Sequence, residues 1–341
     1  MIRESDLLNS KLVPEISKTT YASLQEDRKA IKLISLNGIL FASQLGKRGA
    51  ALAPVFDKIT ATGDSATSRM ELLLQEMASS EIHLNLRLQE VLAKQAVDLM
   101  FQKIYERAQA LRLWVRTSSF REFLRSGNEE HEREAGDLIR LINDDYPSYR
   151  NILLIDMSGD VRCSARPQQL RGQEGLCVAD QSWFAAAARP QNQDVPQIME
   201  SDATFLDAGK GAVVFALGVP DSDRDRSLLG VLACPFDWQS EAVHVVNACL
   251  PKTPAGRNVP GSMALFTNQD QAILESTNHS LLTPGEFFRM PEEHAYLNPG
   301  GTRCSSFKFK DETYMLASAR CDAHDDRRGV DWTSHVLRPL N

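Results

Sequence analysis

The chain has 341 residues, so two or three domains are expected, and its 43% hydrophobic and 24% charged residues are ordinary values for a globular protein in water. A net charge of −7 disfavours sequence-independent binding to nucleic acid or to anionic membranes, because both depend on clustered lysine and arginine. No apolar run is long enough to cross a bilayer, and the charged start MIRESDLLNSKLVPE has no apolar core of a signal peptide. We therefore expect a cytoplasmic protein with no membrane span and no nucleic-acid partner.

The N-terminal quarter carries the pattern of two helices. Residues 1–20 show little pattern, but from Leu24 apolar side chains recur at heptad spacing until the sequence GKRG at 46–49 interrupts them. A second arm keeps the heptad phase from Leu52 to Val91. The pattern predicts an antiparallel helical hairpin over 21–94 whose shorter arm has roughly four to six turns.

Each arm of this hairpin has a single apolar seam, which two helices alone bury poorly. Docking of a second copy into a four-helix bundle would cover both seams, so we expect a homodimer. The alternative is that the seams pack against other parts of the same chain.

Helical periodicity continues from residue 95, with apolar residues on one face as far as Val115. The sequence Ser126-Gly127-Asn128 interrupts it, an acidic stretch opens a further helix, and Asp145-Tyr146-Pro147 ends that helix. We expect 95–147 to form a long helix and a connecting helix that lead into an antiparallel sheet. Such a helix can carry movement at a sheet as a shift or rotation.

The next stretch, 148–250, predicts a small α+β domain. Ile152–Met157 has the length of a strand, Ser158-Gly159-Asp160 supplies a tight turn, and Val161–Ser164 returns. A loop and a short helix ending in Trp183-Phe184 follow. The remaining predicted elements are the strands Gly211–Val219 and Leu228–Phe236 and the helix Trp238–Leu250.

The same order of elements recurs on a smaller scale over 251–341, after a linker rich in proline. The predicted strands are Met263–Phe266, Ala272–Ser276, Cys304–Lys310, Thr313–Arg320 and Val330–Leu337. The sequence thus predicts a helical hairpin and a long helix followed by two tandem α+β domains with antiparallel sheets.

This tandem arrangement resembles the double Cache sensor domain of bacterial receptors, a PAS-like ligand-binding fold, over about residues 95–341. The resemblance rests on the hairpin 152–164, the loop and helix Gly175–Phe184, the apolar strands before Pro220 and Asp237, and the closing sequence GVDW at 329–332. It implies a sensor whose small ligand lies between the sheet and Gly175–Phe184 of the first domain.

The residues at that place define what the ligand can be. In amino-acid-binding members of the family, an arginine two residues before the tryptophan and an aspartate on a later strand hold the ligand. This chain has Gln181 and Pro235 there, so a buried zwitterion would lose both charged partners, and we expect no conventional amino-acid ligand. The residues expected at the ligand are Trp183, Phe184, Gln181, Phe205, Arg162 and Asp180. The alternative is that the aromatic residues belong to the core and the charged residues to the solvated surface.

Residues 34–49 resemble the signalling tip of methyl-accepting chemotaxis proteins. The sequence Leu36-Asn37, the small pair Ala42-Ser43 and the glycines 46 and 49 fall at the places of that motif. Phe41, Gln44 and Lys47 replace a glutamate, an arginine and a second glutamate, which serve trimer contacts and docking of the chemotaxis kinase. The resemblance implies docking to a chemotaxis or other signalling protein, and a glycine-closed turn between two helices is the alternative.

Motifs of catalysis or metal binding are scarce. The chain has no P-loop, no G-x-G-x-x-G after a strand, no H-E-x-x-H and no G-x-S-x-G, so we expect no enzyme activity and no cofactor. The six cysteines have no C-x-x-C spacing, which favours small buried side chains over a redox or metal role. We interpret His324-Asp325-Asp326 as a solvated loop rather than a metal site.

The sequence therefore predicts a chemoreceptor-like sensor or signalling adaptor that binds a small ligand and relays the signal through its N-terminal helices to a partner protein. The alternative is a dimeric scaffold whose Cache-type fold has lost its ligand. The retained aromatic residues favour sensing, and the loss of the family's polar anchors favours the scaffold.

Overall fold

The structure is a computed structural model that describes residues 15–46, 49, 52–170, 175–192, 194–201, 212–222, 227–321 and 331–340. Its helices are α1 (Glu15–Gln44), α2 (Ala53–Trp114), α3 (Ser118–Ser126), α4 (Glu129–Asp145), α5 (Ser182–Ala187), α6 (Trp238–Ala248) and α7 (Glu292–Ala295). Its strands are β1 (Leu153–Asp156), β2 (Val161–Ser164), β3 (Gln197–Ser201), β4 (Ala212–Pro220), β5 (Leu228–Phe236), β6 (Met263–Thr267), β7 (Ile273–Ser276), β8 (Thr302–Phe309), β9 (Glu312–Arg320) and β10 (Thr333–Pro339).

The strands form two antiparallel five-stranded sheets with the same topology. The first has the order β2-β1-β5-β4-β3, and the second has the order β7-β6-β10-β9-β8. In each sheet the first and last strands of the domain lie side by side at the centre. The predicted fold class, α+β with two tandem PAS-like domains after a long N-terminal helix, is confirmed.

The first sheet buries its neighbouring strands β4 and β5 on both faces, because every residue of β4 and the last seven of β5 are buried. On one face, Val214 and Ala216 pack in a cluster with Trp183 of α5. On the other face, the Phe215 ring lies 6.5 Å from that of Tyr149. The continuous apolar run of β4 is therefore the pattern of a strand with two covered faces.

Strand β3 is a strand that the sequence pattern does not predict. It pairs with β4 along its whole length, from Gln197 opposite Ala216 to Ser201 opposite Ala212. As the edge strand of the first sheet, it is only partly buried and has polar residues at both ends. A half-exposed edge strand carries no apolar run, which is why local pattern alone does not find it.

The helices α3 and α4 are separated where the sequence predicts. Gly127 has a positive φ of 62° and ends α3, and Asn128 Oδ1 accepts a hydrogen bond from the His131 amide at 2.8 Å to begin α4. Three glutamates in the first turn of α4 complement its helix dipole. The acidic stretch thus favours the start of this helix.

The N-terminal helices are longer than the heptad pattern predicts. Helix α1 has 30 residues and begins at Glu15, so residues 15–20 are helical and the arm exceeds six turns. Helix α2 runs for 62 residues without a break near residue 94. The sequence around that point, VLAKQAVDL, contains good helix formers and neither glycine nor proline, so it has no residue that would end the helix.

The chain divides into two compact units. The first contains the described residues up to Gln89 together with Cys304–Leu316 and 338–340, and the second contains Glu90–Arg303 and Ala317–Leu337. Within the first unit, Ile82 of α2 belongs to an apolar cluster with Met315 and Leu340. The domain boundaries given above stay predictions.

Within the first unit, α1 and α2 pack as an antiparallel pair. Ser35 donates to the Phe56 carbonyl at 3.0 Å, and Arg28 lies 3.3 Å from Asp64. A side chain at Gly38 would place its Cβ 2.3 Å from the Phe56 ring, so the glycine permits the close approach. The predicted helical hairpin is present, while its correspondence to a chemoreceptor tip stays a prediction.

Among the described residues, no helix is both long enough and apolar enough to cross a membrane.

The turn between β1 and β2 generates a first testable prediction. Gly159 has a φ of 91°, and a Cβ there would lie 2.7 Å from the backbone nitrogen of Ala179. We expect Gly159→Ala to lower the free energy of unfolding by about 1–3 kcal/mol, because both the left-handed backbone and the clash must be accommodated. Urea denaturation measures the change.

The matched control is Gly256→Ala. Gly256 has a φ of 75° but no heavy atom within 4 Å of the added Cβ, so it isolates the cost of the backbone conformation. Equal losses in the two variants would contradict the close approach between the turn and Ala179.

Candidate functional site

The segment that the Cache resemblance points to is held against the first sheet's opening hairpin. The Val178 amide donates to the Gly159 carbonyl at 2.8 Å, and the Val161 amide donates to the Leu176 carbonyl at 2.9 Å. Helix α5 starts directly after this segment, with Gln181 as the residue that precedes it. The loop and helix are therefore fixed relative to β1 and β2.

The two aromatic residues of α5 lie in the core. Trp183 and Phe184 are both buried, and their rings meet edge to face at 6.3 Å. They pack in an apolar cluster with Leu153, Val214 and Val231 of the sheet. This packing agrees with the core alternative for the aromatic side chains, and a ligand beside them stays a prediction.

The polar residues predicted for the site are separated into two places. Gln181 is half-buried, and its amide nitrogen lies 3.4 Å from Oδ1 of the exposed Asp180. Arg162 is exposed on β2, 3.4 Å from Asp156 Oδ2, and its guanidinium lies 5.9 Å from the Phe123 ring. Phe205 lies outside the described residues, as does the cluster His324-Asp325-Asp326.

A second and more polar site, which the sequence does not predict, lies in the second domain. It is a cavity of about 270 Å³ bordered by the end of β6 and the turn after it, α7 and the residue that follows it, the end of β9, and the start of β10. The residues that line it are Thr267, Asn268, Gln269, Gln271, Met290, His294, Ala295, Tyr296, Arg320, Asp331, Thr333 and His335. All of them belong to the second compact unit.

A buried chain of hydrogen bonds adjoins this cavity. Ser318 Oγ lies 2.8 Å from His294 Nδ1 and 2.7 Å from His335 Nδ1, and His335 Nε2 lies 2.9 Å from Thr267 Oγ1. All four side chains are almost completely buried. Because one serine hydroxyl carries one proton, it donates to one histidine and accepts from the other.

Both histidines are uncharged at neutral pH. Burial lowers the pKa of His294 to about 4, although Glu293 nearby acts in the opposite direction. Burial lowers the pKa of His335 to about 3, and His294 adds to that effect. The hydrogen-bonded side chains therefore offer neutral donors and acceptors to the cavity rather than positive charge.

Arg320 and Asp331, which both line the cavity, form an ion pair. Arg320 Nε donates to Asp331 Oδ1 at 2.8 Å, and its Nη2 donates to the second carboxylate oxygen. Gln269 also donates to Asp331, at 2.5 Å, and Arg320 Nη1 donates to the Leu297 carbonyl at 2.7 Å. Hydrogen bonding to Arg320 holds the pKa of Asp331 below its usual value, so the two charges are present and cancel.

Gln271 is placed by a strained turn. Its φ is 61°, a conformation that residues other than glycine rarely adopt. The turn is held because the Gln271 amide donates to the Asn268 carbonyl at 3.0 Å and the Gln271 carbonyl accepts from the Phe288 amide at 2.9 Å. Strain of this kind persists where the surroundings over-determine the conformation, and it is frequent at ligand sites.

No sequence motif predicts this cavity, because His294 and His335 are 41 positions apart in the chain and Ser318 lies between them. The spacing of polar residues on two strands is the one sequence signal that could have indicated it. Each of two strands carries a pair of polar residues two positions apart: β9 has Ser318 and Arg320, and β10 has Thr333 and His335. Residues two positions apart lie on the same face of a strand. The order β6-β10-β9, which sequence does not disclose, brings those faces together.

The cysteines differ in their environments. Cys234, Cys249 and Cys321 are buried, as predicted, and burial raises the pKa of Cys249 to about 11. Cys177 is exposed, so the prediction of burial is wrong for this residue, which lies in the surface loop before α5. Within the described ranges, no group of three or more His, Cys, Asp or Glu side chains is arranged to hold a metal ion.

Solved structures of sensor domains share this fold. The sensor domain of the histidine kinase DctB from V. cholerae matches with a TM-score of 0.53 and 14% identity, over 76% of this chain and 98% of that one. The extracellular domain of the putative histidine kinase vpHK1S-Z8 matches with a TM-score of 0.50 and 11% identity, over 76% and 93%. No protein-family model matches the sequence, and a search of curated proteins found no match.

At these identities the similarity shows the fold alone. The chain has the Cache-type, PAS-like fold of bacterial sensor domains, which confirms the resemblance seen for 95–341 at the level of the fold. Docking of the hairpin to a chemotaxis protein stays a prediction.

The buried histidines predict how stability depends on pH. Their pKa values are about 4 and about 3 in the folded protein and about 6.5 in an unfolded chain, so only the unfolded chain takes up protons as the pH falls below 6.5. We expect the free energy of unfolding to decrease from pH 6.5 to 4.5, by at most about 1.4 kcal/mol per pH unit for each histidine.

The variant His335→Gln removes one of the two groups and should reduce that slope. Asn247 is exposed on α6 and has no titratable group, so Asn247→Gln is the control and should leave the slope unchanged. Denaturation curves at several pH values give the slopes, and identical slopes in wild type and His335→Gln would refute the assignment.

Proposed function

We propose that the protein is a signal-transduction sensor. In this proposal it binds a small molecule in its PAS-like domains and passes the resulting change through the N-terminal helices to a partner protein. The fold shared with the sensor domains of two histidine kinases supports a sensor role. The observation that carries the relay is the packing of one helix, α2, against both sheets within the second unit.

Helix α2 holds the first domain by charged and aromatic contacts. The Arg107 guanidinium lies 5.1 Å from the Tyr146 ring and 5.6 Å from the Tyr149 ring, and Lys103 Nζ lies 2.6 Å from Glu241 of α6. The Trp114 ring meets that of Tyr149 edge to face at 5.9 Å. A shift in the first sheet would therefore act on the C-terminal half of α2.

The same helix contacts the second sheet roughly three to six turns earlier. Ser334 of β10 donates a hydrogen bond from its hydroxyl to the Ala93 carbonyl of α2. Trp332 links the two domains, because its Nε1 donates to Glu200 of β3 at 2.7 Å and its ring lies 5.0 Å from that of Trp238. A ligand that binds two arrangements of these contacts with different affinities would change their populations.

The first ligand site in this proposal is the segment before α5 in the first domain. Gln181 and Asp180 offer amide and carboxylate groups there, and the site has no arginine two residues before Trp183. A ligand without an amino-acid backbone fits those groups best, since a buried zwitterion needs both its charges paired. Arg162 and Phe205 remain proposed members of this site.

A ligand-free dimeric scaffold is the second candidate. The burial of Trp183 and Phe184 in the core favours it, because aromatic side chains used for packing do not need a ligand to explain them. Cytoplasmic localisation and a chemotaxis or other signalling protein as partner are proposals common to both candidates.

A thermal-shift screen of metabolites separates the two candidates. A ligand at one hundred times its dissociation constant adds about 2.7 kcal/mol to the free energy of unfolding, so a sensor should show a rise in Tm with at least one compound. Free amino acids should produce no rise. The variant Gln181→Ala should abolish the shift of a compound bound at the first site, and a response to free amino acids would contradict the proposed chemistry.

The hairpin supports the proposal of a homodimer. Met70, Leu73, Met77 and Leu84 recur on one side of α2 within the first unit, and each is at least 50% exposed. On α1, Ile34 and Phe41 are exposed seven residues apart. Apolar stripes at heptad spacing are covered in coiled coils and four-helix bundles by a partner helix, and a second copy supplies identical stripes.

We expect Leu84→Glu to convert the dimer to a monomer, because a charge in the stripe would be buried without a partner. Leu84 is 71% exposed and Leu72 is 58% exposed, but Leu72 lies off the stripe, so Leu72→Glu is the matched control and should stay dimeric. Analytical ultracentrifugation measures the mass, and a monomeric wild-type protein would refute the dimer.

A further inference from the structure

The polar cavity of the second domain has the properties of a built binding site. It lies at one end of the neighbouring strands β6, β10 and β9, and it adjoins polar side chains that are almost fully buried. Burying His294, Ser318 and His335 costs free energy that an apolar core would not, and their hydrogen bonds only offset it. Polar groups retained at such a cost, beside an open cavity, indicate recognition.

The charges of the lining cancel. Arg320 and Asp331 are paired through two hydrogen bonds, and both histidines are neutral at pH 7. A ligand with a net charge would therefore enter a site that holds no uncompensated charge of the opposite sign, and it would lose its hydration without a counter-ion. The electrostatics select for an uncharged molecule.

The remaining lining supplies hydrogen-bonding groups that the protein itself does not use. In the described part of the chain, the side-chain amide of Gln271 and the hydroxyl of Thr333 make no hydrogen bond to protein. Asn268 Oδ1 accepts from the Ala272 amide at 2.9 Å, which orients its side chain. Tyr296, 73% exposed, lies at the rim, where its ring can cover a bound molecule.

The size of the cavity limits the ligand. A volume of about 270 Å³ corresponds to about nine water molecules at liquid density, which suits a compound of monosaccharide size or smaller.

We propose that the cavity formed by the turn after β6, α7 and the ends of β9 and β10 binds a small uncharged compound with several hydroxyl or amide groups. Gln271, Asn268 and Thr333 hydrogen-bond that compound, and Tyr296 covers it from the rim. This site is separate from the one proposed beside Gln181 in the first domain, so the protein has two ligand sites of different chemistry.

The test is isothermal titration calorimetry of the full chain with matched neutral and charged probes. The neutral probes are glucose, galactose, ribose, myo-inositol, glycerol and urea, and the charged ones are gluconate, galacturonate and glucosamine. We expect at least one neutral probe to bind at millimolar concentration or below, and each of the three charged probes to bind at least tenfold more weakly than that neutral probe. Failure of every neutral probe, or equal binding of a charged probe, would overturn the inference.

The variant Gln271→Gly assigns binding to this cavity. Glycine accepts the φ of 61° without strain, so the variant should fold at least as stably as wild type while losing the side-chain amide. We expect about a tenfold loss of affinity, as for one hydrogen bond removed, and a similar loss for Thr333→Val. The matched control is Asp311→Gly. Asp311 also has a positive φ, 68°, but it does not line the cavity, so this variant should keep full affinity.

The two proposed sites are distinguished by their variants. Binding of a neutral probe that is lost in Gln181→Ala and kept in Gln271→Gly would place the probe in the first domain. That result would overturn the second site and leave the proposed sensor function intact. Binding lost only in Gln271→Gly and Thr333→Val supports the second site whether or not the first binds a ligand.

Discussion

Burial of β4 and β5 on both faces is the constraint on which the first domain depends. Two covered faces require two layers: α5 with Trp183 on one side, and the aromatic group around Tyr149 and Phe236 on the other. Because Arg107 and Trp114 of α2 pack against that aromatic group, covering the sheet also fixes the helix. The contacts that bury the aromatic side of this sheet are thus also the contacts that hold α2 in place.

The two sheets share one strand order but differ in what they bury. The first encloses an apolar cluster, whereas the second keeps a chain of hydrogen bonds through His294, Ser318 and His335 beside a cavity. Apolar packing is the more stabilising choice for a core, so the polar network is the feature that stability alone does not explain. The same topology therefore accommodates an apolar cluster in one domain and a buried polar network beside a cavity in the other.

The heptad pattern predicts that the two N-terminal helices exist but does not predict where they end. Heptad spacing predicts the hairpin, and the contacts of Ser35 with Phe56 and of Arg28 with Asp64 place its arms antiparallel. The lengths of the arms do not follow from that spacing. A helix ends only where a cap, glycine or proline stops it, and α2 contains no such signal around residue 94, so it continues to Trp114.

Local signals by themselves determined most strands and turns. Val161–Ser164 and Leu228–Phe236 occur as predicted, and Gly159 has the positive φ that its turn requires, because strand periodicity and turn chemistry act over a few residues. Only the tertiary structure decided which side chains meet. Thr267, His335 and Ser318 lie on three separate strands and form one hydrogen-bonded chain because β10 inserts between β6 and β9, and strand order depends on long-range pairing that no local pattern contains.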